Sequence, residues 1–266
     1  SLGPTLLLAS IARETRRIGL VTTISTTFGH PYHAARQLMS LHWLSRGRAG
    51  WNVVTALQGN ENFGLPEMPS SQARYARAAE FTEVVRRLWA SFPAEALLVD
   101  RENGRYADTD LILPIDHHGP QFQVSGPMNL PQYPGPDIPL MQAGGSSLGV
   151  DFAGQVADMV FGMTPDMPTA LEMRRQLSER ALAHGRQPRD VRLLPGLSLY
   201  LGETRDEARA LFLATHARID RRQRMRLAQE FLGLDLRDWP EDRPITPADL
   251  PADHRSSRCA SHCEAL

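Results

Sequence analysis

The segment Arg48–Thr55 carries a polar side chain in the middle of an apolar run. Asn52 lies inside the sequence Trp-Asn-Val-Val at 51–54, and Gly47 and Gly50 flank its entry. The run is too short for a helix and rich in strand formers, so it predicts a buried strand that ends at a reactive face. A buried amide without a partner costs about 1–3 kcal/mol, so Asn52 must hydrogen-bond neighbouring backbone or a ligand. The residues alone leave both options open.

A second candidate site is the segment Gly144-Gly145-Ser146-Ser147, between a predicted strand and a predicted helix. Two glycines let the backbone approach an anion closely, and the first amide groups of a helix point outward without partners. This arrangement predicts a phosphate-binding turn that needs no lysine. An ordinary glycine turn in which serine caps the helix accounts for the same residues.

The histidines give weaker grounds for a metal centre. His30, His33 and His42 lie near one predicted strand end and its helix, and His117 and His118 lie in a proline-rich segment. A catalytic metal usually takes three ligands that project from strand ends, and no strand here carries a His-x-His pair. A barrel metal hydrolase is therefore only a minor alternative, and we expect no metal. The sequence also lacks a Gly-x-Ser-x-Gly elbow and a pair of carboxylates at strand ends.

The two cysteines, Cys259 and Cys263, lie in a polar tail with His254 and His262 nearby. A structural zinc takes four ligands, so metal binding by this tail is a minor alternative to a reduced cytoplasmic tail. The role of the two cysteines stays open.

The composition excludes several classes of function. The 266 residues include 29 Lys and Arg against 30 Asp and Glu, so no charge bias indicates nucleic acid or an anionic membrane. The ligand is expected to be a small molecule. No apolar run approaches the length of a membrane-spanning helix, and the first residues do not resemble a signal peptide. We therefore expect a cytoplasmic protein.

The elements that position the candidate residues follow from hydrophobic periodicity. Helices are predicted over the first sixteen residues and at 33–44, 72–90, 148–157, 168–184 and from Thr204, where Thr204 and Glu207 suit a capping box. Strands are predicted at 18–25, 50–54, 140–143, 159–162 and 191–201.

This alternation predicts the fold class: an α/β protein of the parallel (β/α)8 TIM-barrel type. A closed barrel has eight strands, and the chain supplies about five, so the barrel is expected to be incomplete. We expect a single domain over 1–266, truncated at both ends. Residues 91–139, which contain eight prolines, are predicted to form a loop-rich insertion, and 218–266 a second insertion or tail.

Several segments together resemble the bacterial-luciferase-like flavin monooxygenases. They are Ile-Gly-Leu-Val-Thr-Thr-Ile-Ser-Thr-Thr-Phe from Ile18, Pro31-Tyr32 with Ala35-Arg36, Ser45–Thr55, Asn62-Phe63-Gly64, Arg74-Tyr75 and Gln-Ala-Gly-Gly-Ser from Gln142. The resemblance covers roughly residues 4–250, and the Ser45–Thr55 block is specific. The nearest branch is that of the nitrilotriacetate, dibenzothiophene-sulfone and long-chain-alkane monooxygenases.

The resemblance implies an enzyme that binds reduced FMN, takes up O2 and oxygenates a small organic substrate through a flavin C4a-peroxide. It also implies a separate flavin reductase, and a homo-oligomer, dimer or tetramer, for the full-length protein. The positions that match the family's flavin contacts are Thr23 and Asn52, at the isoalloxazine edge, and Tyr75 and Ser146, at the phosphate, with Gly144 in the same turn. No catalytic residue is assigned.

Two departures from the family pattern stand out. Ser71 occupies a position where many members have histidine; serine can donate to a phosphate but cannot carry charge. The family's first two strands would precede Ser1, and its eighth would follow Leu266. The chain could therefore be a non-catalytic remnant that at most binds flavin or a partner subunit. Substrate identity is not readable, although five residues are candidate pocket walls: Phe63, Phe122, Tyr133, Met163 and Met167.

Overall fold

The computed structural model describes residues 2–164 and 166–217 and scattered residues between 220 and 249. Helices and strands alternate, largely as predicted. The helices are α1 (Pro4–Glu14), α2 (Pro31–Leu44), α3 (Ser71–Ala90), α4 (Ser147–Val156), α5 (Met167–Ala183) and α6 (Arg205–Ala217). The strands are β1 (Leu20–Ser25), β2 (Ala49–Val54), β3 (Leu97–Asp100), β4 (Arg105–Ala107), β5 (His117–His118), β6 (Gln123–Val124), β7 (Leu140–Ala143), β8 (Met159–Gly162) and β9 (Arg192–Pro195).

Five of the strands form one sheet in the order β1-β2-β7-β8-β9. Strand β1 pairs with β2, and β2 with β7, in parallel, as strands joined by helical crossovers must. Two short antiparallel pairs, β3-β4 and β5-β6, lie outside this sheet. None of the helices in the described residues has the length and apolar character to cross a bilayer.

The chain divides into two compact units. The first comprises Ser1–Ala143, Leu148–Val160 and Leu177–Arg192, and the second comprises Gly144–Ser147, Phe161–Gln176 and Leu193–Leu266.

The core of the first unit lies between the sheet and helices α2 and α3. Trp51 and Val53 project from β2 on the helix side and are buried together with Leu38 of α2 and Phe81 of α3. Trp51 also donates from its indole Nε1 to the Ile24 carbonyl oxygen at 3.2 Å, so its one polar atom is satisfied. The apolar part of the 51–54 run is therefore buried, as predicted.

Arg48 fixes the point at which β2 begins. Its guanidinium donates to the backbone carbonyls of Ala12 at 3.0 Å, Thr15 at 2.8 Å, Ile18 at 2.6 Å and Ser45 at 2.8 Å. These acceptors include carbonyls left unpaired where α1 ends. The guanidinium offers five N–H donors and reaches all four, whereas lysine has three donors on one atom.

The segment 91–139 packs against the helices of the first unit. Phe122 is buried in the main core, and the Tyr133 ring lies edge-on to Trp43 and His42, with centroids 5.1 Å away in each case. Phe122 and Tyr133 thus have the cover that their size requires, whereas Tyr106 of the same segment is 63% exposed. Its status as an insertion in a barrel stays a prediction.

Glu80 joins α3 to this segment. Its carboxylate accepts from the backbone N–H of Gln121 at 3.0 Å and of Phe122 at 2.9 Å, and it lies 3.0 Å from His117 Nε2. Arg87 approaches the other ring nitrogen, Nδ1, at 3.0 Å. Because a guanidinium can only donate, Nδ1 accepts and Nε2 carries the proton that His117 gives to Glu80. Burial raises the pKa of Glu80, but the hydrogen bonds from His117, Phe122 and Gln121 outweigh it, so its pKa is lowered.

We expect Glu80→Gln to lower the free energy of unfolding at neutral pH by about 1–3 kcal/mol, because a neutral amide is a weaker acceptor for three donors. A lowered folded-state pKa means that the unfolded chain binds more protons. The wild-type advantage is therefore full above the ordinary value of 4.5 and is lost as pH falls through the folded pKa. Urea denaturation as a function of pH measures both effects. Glu83→Gln is the control, since the Glu83 side chain is 62% exposed; an equal loss in both variants would contradict the prediction.

The predicted strand at 191–201 is wrong in length, because β9 covers only Arg192–Pro195. Its neighbour β8 ends at Gly162, and the last ladder contact is Gly196 N–H to the Gly162 carbonyl at 2.8 Å. Beyond it, none of the strands in the described part of the chain pairs with residues 197–201. Leu197, Leu199 and Leu201 alternate as in a strand, yet all three are more than 70% exposed.

The start of α6 only partly fits the predicted capping box. Thr204 Oγ1 accepts from the Glu207 N–H at 3.2 Å, as predicted, but the Glu207 carboxylate accepts from the Glu203 N–H at 2.9 Å and not from Thr204. Most of the predicted tail at 218–266, with Cys259 and Cys263, lies outside the described residues.

Candidate active site

Thr23 and Asn52 lie side by side at the carboxyl-terminal half of β1 and β2. They are register partners in the parallel pair, and Asn52 Nδ2 donates to Thr23 Oγ1 at 3.0 Å. Thr23 is exposed and Asn52 is half-buried. The two side chains form one polar group, and their role in binding stays a prediction.

The position of Asn52 differs from the expectation of a buried amide. Trp51 and Val53 face the helices and are buried, so Asn52 between them projects to the opposite face of the sheet. Val21 on the same face is 38% exposed. The first unit therefore leaves this face of β1 and β2 only partly covered, with a hydrogen-bonded polar pair upon it.

The hydrogen bond fixes which atoms the pair presents. Because Asn52 gives an N–H to Thr23 Oγ1, its Oδ1 remains an acceptor, while the Thr23 hydroxyl proton can be donated elsewhere. An acceptor and a donor then stand next to each other. This pattern suits a planar group with an N–H beside a C=O, such as an amide or imide edge.

The loops that follow β1 and β2 are tied together at the same end of the sheet. Thr26 Oγ1 donates to the Val54 carbonyl at 3.2 Å, and Thr27 Oγ1 accepts from the Ala56 N–H at 3.0 Å. Arg77 of α3 donates to the carbonyls of Thr26 at 3.1 Å and Gly29 at 3.2 Å. The carboxyl ends of both strands are therefore held by side-chain contacts.

An aromatic pair stands beside Thr23. The rings of Phe28 and Phe63, from the two loops, stack with centroids 4.2 Å apart and planes 5° from parallel. A cleft of about 410 Å³ opens here, and its lining includes Thr23, Ser25, Phe28, Gln37 and Phe63. Of the predicted pocket walls, Phe63 reaches this cleft, whereas Phe122 belongs to the core.

Ser71 and Tyr75 lie in the first two turns of α3. Ser70 is the N-cap, and its Oγ accepts from the Ala73 N–H at 3.2 Å. The neighbouring Ser71 is exposed. Tyr75 is half-buried, and its ring packs against Phe152 of α4 with centroids 5.7 Å apart. Residues four apart share a helix face, so Ser71 and Tyr75 can act on one ligand.

Gly144 and Ser146 belong to the second unit, in the turn before α4. Both are half-buried, and a Cβ placed on Gly145 would meet no atom within 4 Å. The turn thus has open space at Gly145.

Two of the candidate histidines, His30 and His42, have structural partners. His30 caps α2, since its Nδ1 accepts from the Tyr32 N–H at 3.3 Å. Burial, His33 and Arg77 each lower the pKa of His30, which keeps this acceptor free of a proton at neutral pH. His42 is buried and its Nε2 contacts the Pro136 carbonyl at 2.8 Å. Across the described residues, no three His, Cys, Asp or Glu side chains gather as a metal-binding group.

Sequence reasoning missed the residues that hold this region in place. Arg77 and the Phe28–Phe63 stack carry no local motif, since their partners are distant in the chain. The only sequence signal was the choice of residue type: an arginine close to the buried face of an amphipathic helix, and aromatic residues in loops that follow strands.

Comparison with known proteins identifies the family. A model described as luciferase-like monooxygenase matches residues 2–259. Nitrilotriacetate monooxygenase component A from Aminobacter aminovorans is 37% identical over 253 residues, covering 94% of this chain and 56% of that protein. The structure of long-chain alkane monooxygenase (LadA) matches with a TM-score of 0.85 at 29% identity, covering 97% of this chain and 60% of the other. Riboflavin lyase (RcaE), solved with modified FMN and riboflavin, matches with a TM-score of 0.84 at 32% identity, covering 97% and 58%.

The five-stranded sheet and these matches confirm the predicted fold class, a TIM-barrel type of which this chain carries part. The chain belongs to the luciferase-like monooxygenase family, and the resemblance seen in the sequence is confirmed. It spans 56% to 60% of the length of the three proteins compared above.

Proposed function

We propose that this chain forms the flavin-binding part of an FMN-dependent monooxygenase that oxygenates a small organic substrate. The observation that carries the proposal is the hydrogen-bonded Thr23–Asn52 pair, which lies on a partly exposed sheet face towards the strand ends. In parallel α/β barrels this end of the strands is where active sites occur. Membership of a monooxygenase family supports the same conclusion.

The chemistry of the pair suits the pyrimidine end of a flavin. The isoalloxazine ring carries N3–H between two carbonyl groups, which is the donor and acceptor pattern complementary to Asn52 Oδ1 and the Thr23 hydroxyl. In this proposal Asn52 accepts from N3–H and Thr23 donates to an adjacent carbonyl. The Phe28–Phe63 stack would shield the ring from water on one side.

The phosphate of FMN is assigned to Ser71 and Tyr75. They would donate their hydroxyl protons to its oxygens from one face of α3. Gly144 and Ser146 belong to the second unit, and their role as phosphate contacts stays an expectation from the family resemblance. Support for this assignment comes from the family resemblance and from the exposure of Ser71.

When bound, reduced FMN would supply the electrons and activate O2 at its C4a carbon, while the protein positions it and limits the access of water. A separate reductase is proposed to deliver it, because the relative named component A is one part of a multicomponent enzyme. The full-length protein is proposed to be a homo-oligomer. The riboflavin lyase match, which was solved with a modified FMN, supports the choice of FMN.

The test compares the amount of O2 consumed with the amount of organic product formed in the presence of reduced FMN. The chain, with FMN kept reduced by a separate reductase, is mixed with candidate substrates such as nitrilotriacetate, dibenzothiophene sulfone and a long-chain alkane. An oxygenase forms an organic product in proportion to the O2 consumed. If FMN binds but all the O2 consumed is recovered as hydrogen peroxide with every substrate, the oxygenase proposal fails and the flavin-binding remnant remains.

A further inference from the structure

Arg74 lies one turn from Ser71 on α3, and its guanidinium is held in a defined position. One terminal nitrogen donates to the Pro69 carbonyl, and the other donates to Ser71 Oγ at 3.4 Å. The Nε atom is buried without a hydrogen-bond partner among the described residues. The charged group therefore bridges the segment before α3 and the Ser71 hydroxyl.

The direction of the Arg74–Ser71 hydrogen bond has a consequence for the serine. A guanidinium has donors only, so Ser71 Oγ must accept from it. The hydroxyl proton of Ser71 is then not used in this contact, and Ser71 is exposed. A hydroxyl that accepts from a cation is polarised and becomes a better donor to an anion.

The contact with Arg74 also places a positive charge next to Ser71, which itself carries none. Serine is neutral, whereas the neighbouring arginine stays cationic at any physiological pH. Nε is buried and one terminal nitrogen donates to Pro69, and the other terminal nitrogen lies 3.4 Å from the oxygen of the exposed Ser71.

We propose that Arg74 is a positioning residue that directs the Ser71 hydroxyl at the phosphate of FMN and supplies the positive charge that serine lacks. The proposal rests on the proposed function. It makes Arg74 a determinant of FMN over riboflavin, which has the same ring system and no phosphate.

The test measures the dissociation constants of FMN and riboflavin for the wild-type chain, Arg74→Met, Ser71→Ala and the double variant. Arg74→Met and Ser71→Ala are each expected to weaken FMN binding by about tenfold, the effect of losing one charge-assisted hydrogen bond, and to leave riboflavin binding unchanged. The double variant is expected to bind FMN little worse than either single variant, because the two residues act as one unit.

Arg74→Lys separates charge from geometry, since lysine keeps the charge but cannot bridge Pro69 and Ser71. It is expected to bind FMN more weakly than wild type, because the bridge is lost, but more tightly than Arg74→Met, because the charge remains; it carries the test if Arg74→Met does not fold. Arg101→Met, which removes one exposed positive charge elsewhere, is the control and is expected to bind FMN as wild type does.

Several results would overturn the inference. They are additive losses in the double variant, wild-type affinity in Arg74→Lys, or equal losses for FMN and riboflavin, which would mark a merely structural role. Failure of the wild-type chain to bind either flavin is a different outcome, because it removes the proposed function itself.

Discussion

Replacing Asn52 with leucine is expected to weaken FMN binding by about tenfold or more, because a buried flavin N3–H loses its acceptor. Leucine has the branched shape of asparagine, with two methyl groups in place of the amide oxygen and nitrogen, so the change mainly removes hydrogen bonds. Thr23 also loses the N–H that Asn52 donates to it at 3.0 Å. Flavin fluorescence titration measures the dissociation constant directly.

A flavin analogue gives this prediction a chemical control. FMN methylated at N3 has no proton to donate, so wild type should bind it less tightly than FMN, while Asn52→Leu should bind both equally. Asn103→Leu, at an exposed turn in the 91–139 segment, should bind FMN as wild type does. Wild-type affinity in Asn52→Leu would show that Asn52 does not contact the ring.

The largest loss of stability is expected for Phe81→Ala, about 3–5 kcal/mol in the free energy of unfolding. Phe81 is fully buried. The centroid of its ring lies 5.8 Å from that of Trp51 on β2 and 5.6 Å from that of Phe122 in the 91–139 segment. Truncation would leave a cavity where the sheet, α3 and that segment meet. Chemical denaturation with two-state analysis measures the loss.

Phe63→Ala is the matched control, since it makes the same substitution at a ring that is 58% exposed. It removes only the stack with Phe28, so we expect a loss of about 1 kcal/mol or less. If Phe81→Ala were as stable as Phe63→Ala, Phe81 would not be part of the core that joins these elements.

The fold could be predicted where local pattern and burial agree. The strands at 140–143 and 159–162 have the predicted limits, and α3 begins one residue before its predicted start. Pro139 and Gly144 bound the first of these strands, Ser70 caps α3, and Leu140 and Phe81 lie in one core cluster. Local propensity and tertiary contacts then favour the same structure.

Prediction was incomplete where the outcome depends on a distant partner. The alternation at Leu197–Leu201 is typical of a strand, but β8 ends too early to pair with it. Asn52 was expected to be buried because its neighbours are, yet it is only half-buried, on the face of β2 opposite to Trp51 and Val53. For the same reason Arg74 could be read as part of a motif, while its contact with Ser71 became visible only in the structure.

Equilibrium titration of the folded chain with FMN tests the central claim most directly, with riboflavin and Asn52→Leu measured in parallel. The account predicts saturation at one FMN per chain, weaker binding of riboflavin, and a loss of about tenfold in the variant. A chain that unfolds cooperatively on heating but shows no saturable binding of FMN would contradict it.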